Sequence, residues 1–111
     1  MHHDAKIFLH DVLNSCRLLN EFTRGKSLEI YSGDKLLQSA VERQFLIIGE
    51  ALGRALKVEP DLLGSISNIR RIINFRNILV HGYSSIEDET VWGIIENDLP
   101  VLCSTVQKLL S

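Results

Sequence analysis

One run of the chain leaves little freedom of fold. Leu37, Val41, Phe45, Ile48, Leu52 and Ala55 recur every three or four residues, the spacing that stacks side chains on one face of an α-helix. The run predicts a helix from about Asp34 to Lys57. Such a helix is too long for a strand and apolar on one side, so other elements must cover it. The same period runs through the rest of the chain. Phe8, Leu9, Val12, Cys16 and Leu19 form a stripe between about Asp4, a fitting N-cap, and Thr23, with Gly25 as the stop. Val91, Ile94, Ile95, Leu99, Leu102, Val106 and Leu109 form another. It opens with Glu87, Asp88 and Glu89, where a helix dipole favours negative charge. Pro100 falls inside this stripe and should kink or divide it. No strand-like alternation persists. The expectation is an all-α bundle of four to five up-and-down helices, formed by residues 1–111 as a single domain.

The connections read as short. Ser32-Gly33-Asp34 is turn chemistry, and Tyr31 is placed in that loop, packing on the bundle. Val58-Glu59-Pro60-Asp61 ends the long helix. Leu62 and Leu63 make a brief helical turn up to Gly64, and Ser65 or Ser67 caps a third helix running to about His81. Gly49 and Gly53 share one side of the long helix with Glu42 and Leu46. Glycine inside a helix costs about 1 kcal/mol relative to alanine, so a close helix approach is expected there, within the chain or from a second copy.

Composition bounds the function. A net charge of −2 over 111 residues gives no bulk attraction to nucleic acid. An RNA ligand would need a local basic groove. Cys16 and Cys103 lie far apart among apolar neighbours and read as reduced core thiols rather than a disulfide or a metal pair. The first residues are polar and the apolar runs short, so neither a signal peptide nor a membrane span is expected, and the location is cytoplasmic. His2 and His3 are given no ligand role.

The stretch Ile69 to Tyr83, IRRIINFRNILVHGY, does not read as a plain packing helix. Ile69, Ile73 and Val80 fall in line, and Arg76 falls in that line with them. A fixed positive charge there needs a partner or a polar cavity. Glu42 or Asp98 would serve as an ion-pair partner, and Asp98 itself lies beside an apolar stripe and calls for one. Arg70, Asn74, Asn77 and His81 form a separate polar stripe, which by default is a solvated face. His81 alone would more often be a helix-end residue favoured by the dipole. Arg76 and His81, five residues apart, point about 140° apart on an ideal helix.

In combination the residues say more. RNILVHGY has an arginine, four residues, a histidine, one residue and a tyrosine. This resembles the motif of HEPN-superfamily ribonucleases, and in particular of HepT-like toxins. AVERQFLIIGEAL (residues 40–52) and VWGIIENDLPVL (residues 91–102) resemble the flanking parts of that family in the same order. The resemblance implies a HEPN-like bundle and a metal-independent endoribonuclease with no cofactor, acting as a homodimer in which two copies of the motif meet. Arg76 and His81 would be catalytic, with Asn77 and Arg70 supporting RNA binding. Asn77 would orient His81 or hydrogen-bond the phosphate, and Gly82 would let the backbone turn at His81. It also implies a toxin–antitoxin pair with a minimal nucleotidyltransferase, which transfers AMP to Tyr83. A second reading is a non-catalytic helical dimer that binds nucleotide or docks such a partner.

Overall fold

The computed structural model describes residues 1–82 and 86–111; Tyr83, Ser84 and Ser85 lie outside the described residues. Those described are helical or connecting, with no strand among them. Helix α1 spans His3–Thr23. Its cap is His2 rather than Asp4: the His2 ring nitrogen accepts the Asp4 amide at 3.0 Å, and the His2 amide donates to Glu59 at 2.6 Å. The helix stops at Gly25, whose φ of 72° is open to glycine at little steric cost. Tyr31 is not in a loop but in a short helix, α2 (Leu28–Ser32), capped by Ser27. Its ring is buried 5.5 Å from that of Trp92. Burial, then the charges of Glu42 and Asp88, push its phenol well above the usual range.

Helix α3 (Lys35–Val58) begins where the Asp34 carboxylate accepts the Leu37 amide at 3.0 Å. Every residue of its expected stripe is buried. Helix α4 is the brief turn Leu62–Ser65, and α5 spans Ile69–His81. Neither serine caps α5. Its first residue follows Asn68, whose side-chain amide donates instead to the Asp98 carbonyl at 2.9 Å. The final helical run is α6 (Asp88–Gly93), a π-helical turn (Ile94–Asp98) and α7 (Leu99–Leu110). The π turn ends just before Pro100, which sits in the first turn of α7, where its missing N–H is not needed. The expected interruption is therefore a widened turn.

Helix α3 is the central element, with α1 on one side and α5 on the other; α7 packs on α1, and α2 on α6. Phe45 of α3 and Phe75 of α5 meet edge to face, centroids 5.1 Å apart, a favourable aromatic geometry. Cys16 and Cys103 are free thiols, and the closeness of Cys103, then burial, push the Cys16 thiol well above its usual range. Their adjacency was not visible in the sequence. No helix among the described residues is long and apolar enough to cross a membrane.

Candidate active site on the α3–α5 groove

The buried face of α5 is Ile69, Ile72 and Phe75. The expected line of Ile69, Ile73 and Val80 is thus rotated: Ile73 and Val80 are only half-buried. Phe75, seated on Phe45, sets the phase. Arg76 consequently lies at the flank of the apolar face, with its aliphatic stem laid across Gly49 of α3. A Cβ at residue 49 would overlap the Arg76 Cβ and Cγ. The close approach inferred from the glycines is therefore an intrachain one at Gly49. Gly53, one turn on, has nothing within 4 Å of where a Cβ would stand.

The ion pair considered for Arg76 does not form. Asp98 accepts from Arg71 at 2.6 Å, and the other ion pair among the described residues joins Arg54 to Glu50 at 2.8 Å. Arg76 donates through Nη1 to Asn77 Oδ1 at 3.2 Å. Its Nε is buried and has no hydrogen-bond partner among the described residues. A buried charged donor without an acceptor is costly and calls for an explanation.

The Asn77 side chain thus holds Arg76 and makes no side-chain hydrogen bond to His81. His81 is exposed at the last residue of α5, and its side chain makes no hydrogen bond with the other described residues. Gly82 continues in right-handed backbone (φ −84°, ψ −13°). The turn expected from a left-handed glycine is not used. Glycine fits there because a Cβ would stand 2.6 Å from the Ile78 carbonyl oxygen. Arg70 and Asn74 are exposed further along α5.

These residues border a groove between α3 and α5. Gly49, Glu50, Gly53, Arg54, Lys57, Ile73, Arg76 and Asn77 line a cavity of about 510 Å³, within the range of ligand pockets. It continues through Gly53, Lys57 and Ile73 to Leu56, Arg70 and Asn74. The groove therefore collects Arg76, Asn77 and Arg70, whereas His81 does not line it. Glu50, Arg54 and Lys57, which line the groove, and Arg71, which does not, were not singled out by the sequence. Arg71 was foreshadowed by the need of Asp98 for a partner. Lys57 gave no signal, since a lysine in the last turn of a helix is ordinary. Among the described residues, no group of three or more His, Cys, Asp or Glu side chains could hold a metal ion.

Comparison with known proteins places the chain in a family. Residues 12–109 match the family described as "Ribonuclease HepT-like". A Methanocaldococcus jannaschii protein named "Putative RNase MJ1380" is 31% identical over 106 residues, 94% of each chain. The "Probable ribonuclease HepT" of Thermococcus cleftensis is 31% identical over 113 residues, 98% of each chain. No solved structure matches. With nearly its whole length matched, the chain belongs to the HepT-like ribonuclease family.

Proposed function

We propose that this chain, as a single domain, is a metal-independent endoribonuclease that works as a homodimer in the cytoplasm. We take it to be the toxin of a toxin–antitoxin pair, silenced when a nucleotidyltransferase antitoxin places AMP on Tyr83. The observation that carries the reading is Arg76, an arginine with no carboxylate partner, a buried unsatisfied Nε and a place on an open groove. An incoming phosphodiester supplies the acceptor that the described residues do not. The guanidinium fork binds two phosphate oxygens at once, and Asn77 holds the fork from its Nη1 side.

The chemistry follows from RNA itself. The 2′-hydroxyl attacks the adjacent phosphorus, the new 2′-O–P bond forms and the P–O5′ bond breaks. One product ends in a 2′,3′-cyclic phosphate and the other begins with a 5′-hydroxyl. A base takes the 2′ proton, an acid delivers a proton to the leaving oxygen, and Arg76 stabilises the charged phosphorane. Since Arg76 and His81 do not share a face of α5, a second copy completes the site, and its His81 supplies the other proton-transfer group. AMP on Tyr83 adds bulk and negative charge two residues along the chain from His81, which opposes the binding of an anion.

The test is cleavage of RNA by purified protein in excess chelator. Arg76→Ala and His81→Ala are expected to lose cleavage by about 10²-fold or more with unchanged far-UV circular dichroism, and products of the parent carry cyclic phosphate ends. Undiminished cleavage by both variants, which would mark a contaminating nuclease, sinks the assignment.

A further inference from the structure

Arg76 occupies one end of the groove only. At the other end stand Lys57 and Arg70, one from each wall. Both are exposed, and neither has an ion-pair partner among the described residues. Arg54 and Glu50, which also line the groove, are tied to each other, so the one carboxylate of the lining is already paired. Along α5, Arg70 and Arg76 are separated by about 9 Å of helix rise, too far to share the oxygens of one phosphate. Between them the floor is bare backbone at Gly53 and the half-buried side chain of Ile73. Such a floor offers an apolar contact to a ribose or a base face and no hydrogen-bond code.

From this layout we propose that the α3–α5 groove takes RNA as a single strand, with Lys57 and Arg70 holding a phosphate that flanks the one on Arg76, and the nucleotide between them lying over Gly53 and Ile73. The proposal rests on the ribonuclease reading for the role of Arg76 but adds a second phosphate subsite and a strandedness. An A-form duplex presents paired, stacked bases and is read across its wide minor groove. A cleft between two packed helices with cations at both ends suits an unpaired backbone, whose nucleotides can splay apart. Gly53 acquires a reason as well. A Cβ there would meet nothing within 4 Å, yet a larger side chain would fill the track.

A fluorescent 2′-O-methyl oligoribonucleotide serves as the probe, because its blocked 2′ oxygens prevent cutting and leave binding alone to be read. Lys57→Glu and Arg70→Glu change exposed residues and should leave the fold intact. Each is expected to weaken single-strand binding by about tenfold or more and to make the log–log salt slope about 0.7 shallower. Gly53→Leu should also weaken binding by about tenfold or more, while helix propensity favours its folding. On a cleavable single strand the two charge variants should raise KM and keep most of kcat, the mark of lost uniform binding. Unchanged probe binding in the two charge variants overturns the proposal, as does equal or tighter binding of the same sequence as a duplex. If Gly53→Leu instead alters the oligomer in sedimentation while the charge variants bind normally, a second copy fills the groove and the proposal falls. The two readings fail separately. Groove-dependent probe binding without Arg76- and His81-dependent cleavage sinks only the enzyme, and cleavage indifferent to Lys57, Arg70 and Gly53 sinks only the groove.

Discussion

A single missing methyl group determines where Arg76 can lie. Gly49 is buried on α3, and the Arg76 stem occupies the space a side chain there would take. Gly49→Ala therefore sets two effects against each other. Alanine gains about 1 kcal/mol of helix propensity, but overpacking against a rigid helix neighbour costs about 1–3 kcal/mol. The expected net result is destabilisation with loss of RNA binding, because Arg76 must move. In an Arg76→Gly background both overlapping atoms, Cβ and Cγ, are gone, and the same substitution should become stabilising. Chemical denaturation of the four proteins of this double-mutant cycle measures the coupling. A Gly49→Ala effect of the same sign and size in both backgrounds would show that the contact has no energetic weight.

At the scale of elements, legibility tracked length and phase. Helix α3 could be read because its period runs unbroken over several turns. Helix α2 could not, since five residues are too few for a periodicity. Helix α5 was found but its phase was misjudged: in IRRIINF the series 69-72-75 and 69-73 are equally apolar, and only Phe45, far away in sequence, favours the first. The candidate site was half legible for the same reason. Arg76, Asn77 and Arg70 lie on one helix, whereas Lys57 reaches them only through the packing of α3 on α5. The corner of α2, α3 and α6 carries a pH prediction. Partial desolvation, then the like charge of Asp88, push the Glu42 carboxyl above its ordinary range. The folded chain thus holds this proton to higher pH than the unfolded chain does. Stability is lost as pH rises from the ordinary carboxylate range through the raised value. Glu42→Gln should therefore melt at a higher temperature than the parent at neutral pH, with the difference shrinking as pH falls into the carboxylate range. Parallel melting profiles across that window would contradict the prediction.

At the scale of the molecule, a small acidic chain that acts on RNA has to concentrate its positive charge locally, and two grooves brought together would double it. Native mass spectrometry tests both halves of the proposed assembly. The expected particle has twice the 12.6 kDa chain mass. After co-expression with a nucleotidyltransferase partner it should gain the mass of AMP, and Tyr83→Phe should remove that gain. A monomer at working concentration would leave His81 without its counterpart, and a gain that survives Tyr83→Phe would place the modification elsewhere. The packing of α1 against α7 has a separate consequence, for the order of assembly. Helices α3 and α5 are near neighbours in sequence, so their pairing closes only a short loop. The α1–α7 contact brings together segments separated by most of the chain, and the entropy of closing a loop grows with its length. No residue of α1 or α7 lines the groove. The slowest closure in the topology therefore falls on the wall remote from it, while the two helices that frame the groove can find each other through local encounters.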